Sequence, residues 1–282
     1  MNCYTKLAQD YQNMFQSGRN YKLGGFEKLQ MPVLPPDAPK MLLFSPHPDD
    51  ECIIGGLALR YRQNKNWNVI NVAVTLGSSP ERQQGRWEEL QHACEYLNFG
   101  LIRTSETGLE NVKLTTRDQN PEEWQKKVKC IADIIAEQQP EIITMPHCAD
   151  FNGTHIAVHY LVVDALKSLD NFSCKIIETE FWAAMDSPNL MLELSVEEVG
   201  QLITALSFHI EEVKRNPYHL TMPAWLIDNV RRGAEIVGGQ GGAAPDYTFA
   251  TLYCVSIFDG KEMKVAYEGG KMISQNDLMF DV

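Results

Sequence analysis

The sequence predicts an α/β fold, a mostly parallel sheet covered by helices on both faces. Two observations carry this. Between Met41 and Glu180 short apolar runs alternate with longer segments of helical periodicity, the pattern of parallel crossover units. Two of the runs, Met41-Leu42-Leu43-Phe44 and Glu141 to Met145, are closed by Pro46 and Pro146, as buried strands with apolar faces are. With 282 residues, 44% of them hydrophobic and 22% charged, the chain can build one large domain. We divide it into an arm, 1–40, expected to pack on the core, and a domain, 41–282, whose C-terminal part is less regular.

The elements follow in order. Tyr4, Leu7, Ala8, Tyr11, Met14 and Phe15 lie at helical spacing, and Met31 to Lys40 is proline-rich and extended. After the strand at Met41, Cys52 to Arg62 reads as a helix and Asn68 to Thr75 as a strand. Glu81 to Phe99 is a helix with Trp87, Leu90, Ala93, Cys94 and Leu97 on one face. A short strand over Leu101 to Thr104, a long helix within Asp118 to Pro140 and the strand Glu141 to Met145 come next. His155 to Leu169 is an apolar helix, and Lys175 to Glu180 a strand. Ser195 to Asn216 reads as one helix opened by a capping box, Ser195-x-x-Glu198. Pro223 to Val237 reads as a helix opened by its proline, and Tyr247 to Phe258 as a late strand. The run Gly238 to Gly242 between them is a substrate-side loop or a plain connector; it fits neither a dinucleotide fingerprint nor a P-loop.

Composition excludes several classes. A net charge of −12 argues against nucleic acid and anionic membranes as general partners. No stretch approaches the ~20 apolar residues of a membrane helix. Met1 to Phe15 lacks the apolar core and basic flank of a secretory signal, so the expected location is cytoplasmic. The seven cysteines include no CxxC pair, which argues against a disulfide framework or a thiolate zinc site. A homo-oligomer is compatible with all of this.

Chemistry concentrates after the two proline-closed strands, which topology would place on one edge. His47, Asp49, Asp50 and Glu51 follow the first. One imidazole and three carboxylates form a charge cluster that a divalent cation offsets. A helix N-terminus would account for the acids, though not for His47 or the flanking prolines. After the second strand come His147, Asp150, Asn152 and His155, with Asn152-Gly153 as a turn signal and Thr154 placed to cap the following helix. His159, one turn beyond His155, lies in an apolar segment and reads as a core or supporting histidine rather than a ligand.

Ser45-Pro46-His47-Pro48-Asp49-Asp50-Glu51 after a strand, with Asp150-Phe151-Asn152-Gly153-Thr154-His155 later, resembles the PIG-L/LmbE-type N-acetylglucosamine deacetylases, zinc enzymes with a Rossmann-like fold. Val72 to Gly77 resembles that family's second strand, and Arg86 to Leu97 its R-x-x-E helix. The resemblance runs from about Met41 to Leu169 and more weakly to Phe258. It implies His47, Asp50 and His155 as metal ligands, Asp49 as general base and Arg86 as a substrate contact, with Glu51, Asp150 and His159 behind them. Two imidazoles and one carboxylate leave positions on Zn2+, or on another divalent ion such as iron, cobalt or manganese, for water and a carbonyl oxygen. The implied reaction is hydrolysis of an N-acetyl group on an N-acetylglucosamine-type sugar or glycoconjugate.

The departures are specific. Pro46 stands where the family has a small residue, Asn152 where it has its first histidine, and Thr154 where it has an aspartate beside the ligand. That histidine stabilises the oxyanion, a task for which Asn152 can donate a neutral hydrogen bond. His147, His209 and His219 are the other candidates. The alternatives are an amidase acting on a thiol conjugate or natural product, and a non-catalytic sugar-binding relative that retains zinc. The intact Asp49 argues against the last.

Overall fold

The computed structural model describes residues 2–277 and 280–282. Helix α1 (Cys3–Gly18) precedes the domain, which begins with β1 (Lys40–Ser45), α2 (Asp50–Ile53), α3 (Gly55–Asn64) and β2 (Asn68–Ala73). Then come α4 (Pro80–Leu97), β3 (Gly100–Arg103), α5 (Leu114–Gln119), α6 (Pro121–Gln138), β4 (Ile142–Pro146), α7 (Gly153–Lys167) and β5 (Cys174–Thr179). The last part holds β6 (Leu190–Leu194), α8 (Val196–Leu206), α9 (Ile210–Arg215), α10 (Tyr218–Ile236), β7 (Phe249–Phe258), β8 (Met263–Val265) and β9 (Lys271–Ile273).

The strands form one mixed sheet in the order β3-β2-β1-β4-β5-β7-β6-β9, with β8 on β7. From β3 to β5 every pairing is parallel, and β7 runs antiparallel to both β5 and β6. The mostly parallel α/β sheet predicted from the alternation of elements is therefore present. Strand β1 shows why its sequence is apolar throughout. Side chains alternate between faces along a strand. Met41 and Leu43 enter the core beneath α3, α4 and α8, while Leu42 and Phe44 enter the core beneath α6 and α7. All four are fully buried, each stabilising by about 1.5–3 kcal/mol.

Chain order reverses at β1: β2 and β3 are added on one side, β4 and β5 on the other. The crevice at such a switch point, past the carboxyl ends of the strands, is where open α/β sheets take ligands. Both histidine-bearing segments leave the sheet there.

Several boundaries differ from expectation. The segment 52–62 is two helices, because the chain turns at Ile54, and Gly55 lies so close to α8 that a Cβ would stand 2.7 Å from Leu202 Cδ2. The segment 195–216 is also two helices, interrupted at Ser207–His209, although its capping box is present as expected. Pro223 does not open its helix but falls inside α10, which begins at Tyr218. The expected packed arm is only partly that: Leu23, Leu29 and Met31 lie against the core, whereas Tyr4 and Met14 on α1 remain 78% and 61% exposed. Strands β6, β8 and β9 and helix α5 have no counterpart in the sequence reading.

Leu43 sits mid-strand between two parallel neighbours and is sealed from solvent. Leu43→Ala is expected to lower unfolding free energy by about 2–5 kcal/mol, measured by urea denaturation.

Candidate active site

The end of β1 is fixed before any chemistry is placed on it. Ser45 Oγ donates to Asn71 Oδ1 at 2.6 Å, and Thr75 Oγ1 donates to the carbonyl of Pro46 at 2.7 Å. The chain then doubles back: the backbone N–H of His47 donates to Asp50 Oδ2 at 2.8 Å, so ligand candidates three residues apart meet. From β4 the chain reaches α7 through another local network. Asp150 Oδ1 accepts the N–H of Asn152 at 2.7 Å, and Asn152 Oδ1 accepts that of Thr154 at 2.9 Å. The cap of α7 is thus Asn152 rather than Thr154. This places His155 in the first turn, facing the end of β1.

His47, Asp50 and His155 converge. His47 Nδ1 lies 3.2 Å from His155 Nε2 and 3.5 Å from Asp50 Oδ2, and His155 Nε2 lies 3.3 Å from Asp50 Oδ2. A tetrahedral cation with bonds of about 2.0–2.1 Å sets its donors about 3.3–3.4 Å apart, which is the size of this triangle. Two imidazole nitrogens and a carboxylate oxygen, with Asp50 and His155 buried, make a donor set that suits Zn2+ and several other divalent ions. Behind the trio, His155 Nδ1 has no hydrogen-bond partner among the described residues and stands 3.7 Å from Asp150 Oδ1. A small rotation would give the carboxylate–histidine arrangement that orients metal-ligating imidazoles. Asp150 is itself held by the N–H of Trp182 at 3.1 Å.

Asp49 lies between Pro48 and Asp50 with φ 121° and ψ −27°, a conformation that costs an L-residue about 1–3 kcal/mol. Its carboxylate lines the cavity beside the trio and stands 3.9 Å from Arg86. Burial, then the charge of Asp50, pushes the Asp49 carboxyl well above the usual range, against His209 and Arg86. For Asp50, burial pushes the same way, but the charges and hydrogen bonds of His155 and His47 outweigh it and hold the carboxyl below the usual range. Two adjacent carboxyls are therefore driven apart in proton affinity, one toward carrying a proton and one toward staying ionised.

The trio and Asp49 open into a cavity of ≈ 370 Å³. Arg86 lines it, donating to the Pro48 carbonyl at 2.9 Å. Asn152 lines it too, with its Oδ1 occupied by the α7 cap and no hydrogen bond from its carboxamide nitrogen among the described residues. The sequence did not point to the rest of the wall. Arg82 and Arg215 both donate to the buried Glu212, and Phe181, Trp182, Tyr218 and Trp225 supply aromatic surface. Arg82 lies one helical turn before Arg86, so their shared face on α4 was the available signal. The others belong to the irregular part of the chain and had none.

The three alternative oxyanion histidines do not line the cavity. His147 Nε2 donates to the Ala183 carbonyl at 3.0 Å, His209 donates to Glu51 at 2.7 Å, and His219 is buried within α10. His159 does not stand behind a ligand: it donates to the carbonyl of Pro146 at 3.0 Å and sits 3.3 Å from Glu178, bracing the end of β4. Glu51 does reach back from the first turn of α2, where it accepts the N–H of Asp49. Cys52 is buried, with burial and then Glu51 raising its thiol, and burial also raises the exposed Cys148, so neither is activated as a nucleophile. The Gly238–Gly242 run joins α10 to β7 and does not line the cavity.

The fold and these contacts define a class: an α/β protein with a candidate metal-binding trio and a flanking carboxylate at its switch point. Residues 42–166 match the model of the PIG-L family, described as GlcNAc-PI de-N-acetylase. Solved structures share the fold. The A40926 pseudoaglycone deacetylase is 16% identical over 80% of this chain and 100% of its own, with a TM-score of 0.57. The N,N'-diacetylchitobiose deacetylase of Pyrococcus horikoshii is 15% identical over 79% and 85%, at 0.55. The 4-carboxy-2-hydroxymuconate hydratase of Pseudomonas putida KT2440 is 14% identical over 77% and 95%, at 0.54. Comparison with curated proteins finds no match.

Asp150 is the group through which the α7 cap, Trp182 and His155 are connected. Asp150→Ala is expected to weaken divalent-cation binding about 10–100-fold, measured by competition with a chromogenic chelator.

Proposed function

We propose that this protein is a metal-dependent hydrolase that removes the N-acetyl group from an amino sugar or glycoconjugate. The observation that carries it is the His47–Asp50–His155 triangle with the Asp49 carboxylate beside it in one cavity. When bound there, a divalent ion supplies Lewis acidity toward an amide carbonyl and toward water. Zinc is our first assignment, on the donor types. Asp49 takes a proton as the water oxygen forms its bond to the acetyl carbon. It returns that proton to the nitrogen as the carbon–nitrogen bond breaks, leaving acetate and a free amine. The Asn152 carboxamide nitrogen is our candidate donor to the developing oxyanion. The family match and the deacetylases among proteins of this fold support the reading.

The wall suggests what lies beyond the sugar. Arg82, Arg86 and Arg215 face one buried carboxylate, Glu212, whose two oxygens are already shared between Arg82 and Arg215. The three guanidinium groups gather on this one wall, while the other carboxyls of the cavity, Asp49 and Asp50, lie on the side of the trio. Trp182 and Tyr218, packed edge to face at 5.9 Å, offer apolar surface nearby. A glycoconjugate bearing a carboxylate or phosphate fits this wall better than a neutral disaccharide. Among the described residues no helix is long and apolar enough to cross a membrane.

The test is acetate release by the zinc-loaded protein from N-acetylglucosamine, its 1-phosphate, N-acetylmuramic acid and N,N'-diacetylchitobiose. Asp49→Asn should lower turnover about 10²–10⁴-fold with bound metal unchanged. Equal turnover would remove Asp49 from the proton-carrying role, and no acetate from any of the four would overturn the reading for these substrates. Arg215→Gln should raise KM for an anionic substrate about tenfold and leave KM for the neutral sugar within error.

A further inference from the structure

We infer that Glu51 and His209 form a buried positioning pair that holds Asp49 in the backbone conformation from which its carboxylate reaches the cavity. The inference rests on the proton-carrying role proposed for Asp49. Asp49 occupies a φ of 121°, and its side chain makes no capping hydrogen bond to α2 that would offset this. Its backbone N–H instead donates to Glu51 Oε2 at 3.0 Å. Glu51 Oε1 accepts from His209 Nε2 at 2.7 Å and from the Cys52 thiol at 3.0 Å. A carboxylate sealed from water thus receives three donors, one of which is the strained residue itself.

Neither Glu51 nor His209 lines the cavity, and both are 0% exposed, so neither touches a substrate there. Their reach to the reaction is through Asp49. The fold spends regularity on this contact. His209 stands at the interruption between α8 and α9, where the sequence pattern is continuous, and its carbonyl receives the N–H of Val213 at 2.9 Å as α9 begins. Breaking the helix there turns the imidazole inward toward Glu51. A buried charged contact is a poor source of stability compared with apolar packing of the same volume. What this one provides is direction: it fixes the far end of the Glu51 side chain, and so the N–H of Asp49. Among the described residues the ring is held through Nε2 alone, since Nδ1 has no hydrogen-bond partner among them. A glutamine at 209 can therefore present an equivalent donor, and a leucine cannot.

The test uses the zinc-loaded protein and two readouts, steady-state acetate release and a crystal structure of each variant. His209→Leu should lower kcat about a hundredfold with KM and bound zinc unchanged, because a misplacement near 1 Å is enough for such a loss. His209→Gln should recover most of it. In the His209→Leu crystal, Asp49 should leave the positive-φ region and its carboxylate should move out of its wild-type position. An unmoved Asp49, or a His209→Gln variant as slow as His209→Leu, would overturn the inference. Should His209→Leu fail to fold, His209→Asn, too short to reach Glu51, makes the same comparison. A wild type that releases no acetate would count against the proposed function alone, since the crystallographic comparison would still decide whether the pair places Asp49.

Discussion

The parallel pairing of β1 with β4 is the constraint on which the candidate site depends. Met41 stands opposite Ile142, Leu42 opposite Ile143 and Leu43 opposite Thr144. With that register, two strands closed by Pro46 and Pro146 end side by side, and the segments leaving them meet. A one-residue slip would exchange the faces of every side chain on β1, sending Leu42 and Phe44 into the wrong layer. The register that satisfies the two hydrophobic cores is thus the one that brings His155 within 3.2 Å of His47. Packing and chemistry are set by the same pairing.

What hydrophobic burial provides in precision is used locally against ordinary preferences. The turn carrying Asp49 is strained, Asp49, Asp50 and Glu51 are three consecutive carboxyls buried together, and His155 Nδ1 lacks a hydrogen-bond partner among the described residues. None of these would arise from stability alone, since buried charges cost several kcal/mol unless compensated. Compensation comes from specific neighbours: His47 and His155 for Asp50, His209 and the N–H of Asp49 for Glu51. Asp49 has the weakest support, with Arg86 at 3.9 Å, and it is the carboxyl that burial drives toward holding a proton. Departures from good local structure cluster where proton transfer is proposed, as expected of functional sites.

The parts of the fold and site legible in the sequence are those whose signals are local. His47 and Asp50 are three residues apart on one turn, and His155 opens a helix after a turn signal, so their types and spacing were visible before their distances. The alternation of Met41, Leu42, Leu43 and Phe44 between two cores was implicit in an apolar run bounded by proline. The roles of the later histidines were not legible, because they depend on what packs against them. His209 is set by Glu51, far away in sequence, and its position breaks a helix whose apolar periodicity runs through the break. Pro223 misled for a related reason. It is a good first-turn residue, yet Tyr218, which borders the cavity, already belongs to α10 and carries the helix start upstream of it. Arg82, Glu212 and Arg215 come together only once α9 lies beside α4.

Fold alone does not choose the reaction, since both deacetylases and a hydratase share this architecture at 14–16% identity. The choice falls to the residues around the trio. Adding water across a double bond and cleaving an amide both begin with removal of a proton from water. Hydration then delivers a proton to the second carbon, whereas cleavage delivers one to a departing nitrogen, which leaves poorly as an anion. A single carboxyl that takes and returns the proton must lie close to both positions and have a raised proton affinity, so that returning it is not steeply opposed. In the proposed role Asp49 shares the cavity with the trio, and burial and the neighbouring Asp50 raise its proton affinity. The guanidinium nearest it, Arg86, donates to the Pro48 carbonyl at 2.9 Å and remains 3.9 Å from the carboxylate. A tight ion pair there would lower the proton affinity that the return step uses, and the geometry withholds one. That arrangement suits the proton-carrying role proposed for Asp49.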